Sequence, residues 1–191
     1  MKKGSVLLVI LLCVLTTQGF SQLVIMAGGN GYLGQTGLMI GGGVELETGY
    51  GGCFGGSNID DITTLGIGLE YLYLQTEFTQ QPGGAFIIPF TIKKRFASRH
   101  NPFAFDVGIG TAMALIDSER EYNNEVYSDL GIAAYAEADV NYLLPSDIIF
   151  RAGIRGGILY INDTIYPFFG FKLYAGYLFP SDNQTEDETI Y

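Results

Sequence analysis

The sequence predicts an all-β protein, an eight-stranded antiparallel up-and-down transmembrane β-barrel. Three observations carry that prediction. Segment after segment alternates bulky apolar residues with small or charged ones, which is the period of a strand. The small face is built from glycine, alanine and scattered charges, not from the Thr, Lys, Glu and Ser of a solvated sheet. Aromatic residues gather at the strand ends and aliphatic residues at their middles, as in a barrel with two interfacial girdles.

Composition sets the bounds. The chain has 191 residues, 48% hydrophobic and 16% charged, with 27 glycines, 13 Tyr, 13 Phe and no Trp. Glycine is about twice its usual share and charge is well below it. So much Tyr, Phe, Ile and Leu excludes a disordered chain. A net charge of −10 argues against nucleic-acid binding, which needs a basic face.

The chain opens like an export signal. Lys2 and Lys3 precede an apolar run from Val6 to Leu15, and small residues stand at Gly19 and Ser21. This is the layout of a secretory signal peptide over residues 1–21, with cleavage before Gln22. The run is too short for the ~20 residues of a spanning helix. Cys13 lies inside it, which rules out a lipoprotein site. Loss of two lysines takes the charge of −10 to about −12 and leaves Cys53 as the sole cysteine, so no internal disulfide can form.

The strands follow in order. Leu23–Tyr32 is apolar and glycine-rich but does not alternate. Leu38–Leu46 sets Leu, Ile and Val against Glu45 and, just beyond, Glu47. Leu65–Tyr73 sets Leu, Ile and Tyr against Gly66, Gly68 and Glu70. Phe86–Ile92 is a short apolar alternation. Phe103–Leu115 carries large residues at odd positions and Ala, Gly and Asp106 at even ones. Leu130–Tyr142 opposes Ile132 and Val140 to Tyr135, Glu137, Asp139 and Asn141. Ile148–Tyr160 opposes Phe150 and Ile154 to Arg151, Gly153, Arg155 and Gly157. Phe169–Phe179 opposes Phe171 and Leu173 to Gly170, Lys172 and Tyr174. Several runs reach the 9–11 residues of a spanning strand.

Turn chemistry separates them. Asn162-Asp163 reads as a two-residue hairpin turn. Ser98–Pro102, Leu144–Asp147 and Gln80–Gly84 read as short polar turns. Gly55–Asp61 and Asp117–Glu125 read as longer connections.

This layout resembles the small eight-stranded outer-membrane barrels of the OmpA, OmpX and OmpW type, and related barrels of Bacteroidetes and spirochaetes. The resemblance covers essentially all of residues 22–191, with 22–180 as one barrel and 181–191 as an acidic tail. It rests on pattern and not on a diagnostic motif. It implies a bacterial outer-membrane location with both termini periplasmic. Asp117, Glu119, Arg120, Glu121, Asn123, Asn124 and Glu125 then belong to an external loop. Such barrels usually end on an aromatic, and Phe179 fills that role.

Candidate chemistry is sparse. Gly29-Asn30-Gly31-Tyr32-Leu33-Gly34 has the letters of a dinucleotide-binding turn, but Gln35–Gly43 holds too much glycine for the helix that motif needs. His100 is the only histidine and falls in an expected periplasmic turn, so no Ser-His or Cys-His pair assembles at the outer rim. Asp60-Asp61 and the acids of 117–125 lack calcium-loop spacing. No catalytic residue, metal or cofactor is expected.

The charges on the small face point to the lumen. A two-residue turn at Asn162-Asp163 sets Gly153 beside Lys172. The Leu144–Asp147 turn sets Glu137 beside Arg155, with Asp139 diagonal to Arg151. Glu70, Asp106, Glu137, Asp139, Arg151, Arg155 and Lys172 are thus expected to form a charge network that fills a narrow barrel. The function expected is non-enzymatic: a structural or surface-interaction barrel acting through its loops. The alternative is a narrow OmpW-like conduit for small or hydrophobic molecules. The expected partners are outer-membrane lipid and an extracellular or host ligand, with no nucleic acid, and the barrel is expected to be monomeric.

Overall fold

The computed structural model describes residues 20–34, 37–50, 61–75, 83–97, 102–120 and 125–180. They form eight strands: β1 (Phe20–Gly34), β2 (Gly37–Tyr50), β3 (Asp61–Gln75), β4 (Gly83–Ala97), β5 (Phe103–Arg120), β6 (Glu125–Leu143), β7 (Ile148–Ile161) and β8 (Thr164–Pro180). Each strand pairs antiparallel with its chain neighbours, and β8 closes onto β1. Closure satisfies the ladder without leaving an edge, which is what a lipid environment demands of a sheet.

The strands are longer than the alternating segments. β4 extends on both sides of Phe86–Ile92. β1 begins at Phe20, two residues ahead of the expected cleavage point. Residues 1–19 and 181–191, which hold most of the expected signal and all of the expected tail, lie outside the described residues. So do His100 and Cys53. β1 does not alternate because its inward Val24 and Met26 are themselves apolar, while glycines interrupt its outward face. The residues with dinucleotide-turn letters are all on β1, and no helix opens there.

The connection after β5 differs most from the sequence reading. Asp117, Glu119 and Arg120 stand on β5 and Glu125 on β6, with Arg120 paired to Glu125. Only residues 121–124 separate the strands, so Glu121, Asn123 and Asn124 lie outside the described residues. The ladder is made by backbone groups. It continues past the point where the apolar alternation of the sequence ends, because backbone pairing does not depend on which side chains follow.

The turns fix the register. Asn162 and Asp163 have φ of 47° and 61°, the left-handed pair of a type I′ turn. The β7–β8 ladder accordingly sets Ile154 opposite Phe171 and Gly153 opposite Lys172. Asp147, with φ of 61°, closes the β6–β7 turn, where its N–H donates to the Leu144 carbonyl at 3.1 Å. That turn sets Glu137 opposite Arg155 and Asn141 opposite Arg151.

The faces divide cleanly. Bulky apolar side chains such as Ile109, Leu173 and Ile132 are exposed on the outer wall, while the charged residues of the strands' small face are buried. Aromatic rings flank the aliphatic band at both ends. Near the chain termini Phe103 packs on Tyr142 and Tyr177 on Phe179, each with centroids 4.8 Å apart. At the far end Tyr71 packs on Phe86, also at 4.8 Å. A soluble barrel would turn this surface inside out.

Candidate functional site

The lumen is the candidate site, and ionised side chains cross it. Among the described residues, six carboxylates (Glu45, Glu47, Glu70, Asp106, Glu137, Asp139) and five cations (Lys93, Arg95, Arg151, Arg155, Lys172) are buried inside the barrel. Charges taken this far from water must be paired and hydrogen-bonded, and these are.

The network is layered along the barrel. Nearest the termini, Arg95 makes a bidentate pair with Asp106, at 2.9 Å from Nε to Oδ1 and 2.8 Å from Nη2 to Oδ2. Asn141 donates to the same Asp106 at 2.8 Å and accepts from Arg151 Nε at 2.6 Å. Arg151 then spans the lumen to make a second bidentate pair, with both Glu47 oxygens at 2.6 Å. Planar forks of this kind fix geometry as well as charge.

The middle layer centres on Lys93. Its Nζ lies 2.9 Å from Glu45, 2.9 Å from Glu137 and 3.1 Å from Asp139, and it also bonds Glu47. Lys172 joins from β8, at 3.0 Å from Glu137 and 3.1 Å from Asp139. Two ammonium groups among four carboxylates hold this layer together.

The upper layer turns on Arg155. It donates to Glu137 at 2.9 Å, to Glu70 at 2.7 Å and to the Tyr32 hydroxyl at 2.9 Å. Its guanidinium stacks 4.4 Å over the Tyr135 ring. Tyr32 in turn donates to Glu70 at 3.1 Å, and Tyr135 shares a 2.7 Å hydrogen bond with Thr91.

Apolar residues close the network on both sides. Val24, Met26, Ile149 and Tyr174 pack beneath it, nearer the termini. Above it lies a small apolar cup of about 40 Å³, walled by Leu72, Ala85, Ile87, Ala112, Ala133 and Phe168 and floored by Glu70 and Arg155.

Glycine makes space where the network is tightest. The Asp139 carboxylate occupies the position that a side chain at Gly153 would fill, and the Tyr135 ring does the same at Gly110. The small residues of the alternation are sockets for the large polar ones on neighbouring strands.

All seven lumen residues named from the sequence meet here: Glu70, Asp106, Glu137, Asp139, Arg151, Arg155 and Lys172. Sequence reasoning missed Glu45, Glu47, Lys93, Arg95, Asn141, Tyr32 and Tyr135 as members. Lys93 and Arg95 were detectable, since Thr91, Lys93 and Arg95 continue one face of β4. The Lys94 between them, on the other face, disguises the alternation as a basic strand end.

Solved structures match this architecture. Neisserial surface protein A has 13% identity and a TM-score of 0.55, over 84% of this chain and 96% of that one. The N-terminal β-barrel domain of Pseudomonas aeruginosa OprF has 18% identity and a TM-score of 0.52, over 85% and 100%. Ail, the attachment invasion locus protein of Yersinia pestis, seen in complex with the heparin analogue sucrose octasulfate, has 12% identity and a TM-score of 0.58, over 83% and 98%. The fold is that of the small outer-membrane barrels. At these identities the likeness speaks to fold alone. No protein-family model matches the chain, and no curated protein matches it in sequence.

Proposed function

We propose that this protein is a non-enzymatic outer-membrane barrel whose lumen is plugged by charge, and that it acts as a membrane anchor presenting its outer rim to surface partners. One observation carries the reading: six carboxylates and five cations bond one another across the full width of the lumen. An open conduit needs side chains that face water along a continuous path. Here every layer is bridged wall to wall, so solute has no route that leaves the pairs intact.

The outer-membrane location is supported by the apolar outer wall, the two aromatic girdles and the shared fold. The signal-like residues 1–21 agree with export. What remains for function is the rim opposite the start of β1 and the end of β8, where the type I′ turn at Asn162-Asp163 stands and the far ends of β5 and β6 are paired. The sulfated ligand of Ail is that protein's own. The stretch from Asp117 to Glu125 here carries four acids and one arginine, which disfavours a polyanion.

The refolded barrel in planar lipid bilayers tests the plug. Baseline current with only brief, irregular openings is the expected result. Steady ohmic channels from the wild-type protein would replace this reading with the OmpW-like conduit.

A further inference from the structure

The lipid-facing wall carries a charge that the lumen network does not use. On β4, Lys93 and Arg95 point inward and Lys94 falls on the opposite face, between outward Ile92 and Phe96, which are 53% and 50% exposed. Its ladder partners are Thr63 on β3 and Val107 on β5. One step further toward the termini, Phe96 stands opposite Phe105 in the lower girdle. Lys94 therefore sits just inside the apolar band. The other outward-facing residues described between the girdles are uncharged.

A charge on a barrel's lipid face is costly at mid-membrane and tolerated only near the interface. Lysine meets that limit by laying its four-carbon stem along apolar surface and lifting its ammonium to the headgroups. Snorkelling alone would need nothing else from the wall. The wall, however, is furrowed here. A shallow groove of about 370 Å³ is lined by Thr63, Lys94, Val107, Ile92 and Ile109. A second, of about 470 Å³, shares Ile92 and Ile109 and continues over Leu65, Ile67 and Phe90 toward mid-membrane. The two form one furrow with a cation at its interfacial end and aliphatic walls along its length.

We propose that Lys94 and this furrow bind one anionic diacyl phospholipid, the ammonium taking the phosphodiester and one acyl chain lying over Ile92 and Ile109. The assignment rests on the outer-membrane reading above. It goes further in naming a bound lipid on one sector of the wall, β3 to β5. Lys94 keeps an interaction within the chain, and its ammonium offers three donors, so a phosphate is accommodated beside it. Lysine holds phosphate as a point charge, which suits the loosely oriented headgroup of a lipid.

The test reconstitutes the full-length barrel in nanodiscs of phosphatidylglycerol and phosphatidylcholine in equal parts. Native mass spectrometry then reads the lipid that stays bound. Wild type should retain phosphatidylglycerol over phosphatidylcholine by about fivefold, the upper range for one partly exposed ion pair. Lys94→Gln should bring the ratio near one, and Lys94→Arg should keep it. A phosphatidylglycerol with a photoreactive acyl chain should label β4 and β5 near Ile92 and Ile109. Equal retention by wild type and Lys94→Gln, or labelling spread evenly round the barrel, would overturn the site. Preferential retention of lipid A when it is added would overturn the phospholipid assignment. A heat-dependent shift on unboiled gels reports folding for each variant. If wild type failed to fold into bilayers at all, the membrane reading itself would fall, which is a separate result.

Discussion

Glu137 stands directly opposite Arg155 on the β6–β7 ladder, and its Oε2 accepts from Arg155 Nε at 2.9 Å. The same Oε2 accepts from Lys172 at 3.0 Å. Glu137 is thus the joint between the middle and upper layers of the lumen network. Removing one partner of a buried pair leaves the other charge without compensation, at a cost of roughly 3–5 kcal/mol. Arg155→Ala should lower the urea midpoint of refolded protein clearly. Glu137→Ala should do so at least as much, because it removes one carboxylate that Arg155, Lys93 and Lys172 share. The double variant should cost less than the two singles summed, since the residues are coupled. Two neutral singles would show that the charges face internal water and not each other.

Gly153 tests the sockets. A side chain there would displace the Asp139 carboxylate from its place beside Lys172 and Lys93. Gly153→Val improves strand propensity, so propensity alone predicts a more stable barrel. Overpacking a tight interior costs about 1–3 kcal/mol, and the disrupted ion pairs add to it. The expected outcome is a lower unfolding midpoint and a weaker heat-dependent gel shift. A stabilised Gly153→Val barrel would show that the small face is roomy.

The rim near residues 121–124 should be accessible on intact cells. The β5–β6 connection is the short gap between Arg120 and Glu125, opposite the end where β1 begins and β8 ends. Exposed connections tolerate insertion. An epitope tag between Asn123 and Asn124 should bind antibody without permeabilisation. Labelling only after lysis would invert the barrel in the membrane.

Much of this arrangement was legible in the linear chain. The two faces of every strand but β1 could be read from alternation, because a pleated strand sends successive side chains to opposite sides. Which face points out of the barrel could be read too. Gly108, Gly110 and Ala112 opposite Ile109 and Met113 make sense only if the small face is the crowded one. The β7–β8 register followed from Asn162-Asp163, since a two-residue turn leaves one pairing that keeps both faces consistent.

Strand ends were not legible on the same terms. Alternation records what the side chains meet, and in the sequence it ends before Asp117–Arg120. Hydrogen bonding does not end there, so β5 and β6 run on. Lys93 and Arg95 were hidden for a related reason. Lys94 serves the outer wall within a run of three bases, and a linear reading takes such a run for a solvated end.

The sequence by itself determined the fold class, the facing of the alternating strands and the pairs formed across tight turns, since all three depend on periods and turns within a few dozen residues. Only the tertiary structure decided who meets whom across the lumen. Arg151 grips Glu47 from 104 positions away, and Lys93 collects carboxylates from β2 and β6. Those partners are set by strand tilt and by the closure of β8 on β1. Closure fixes the stagger of all eight strands together, and no single hairpin encodes it.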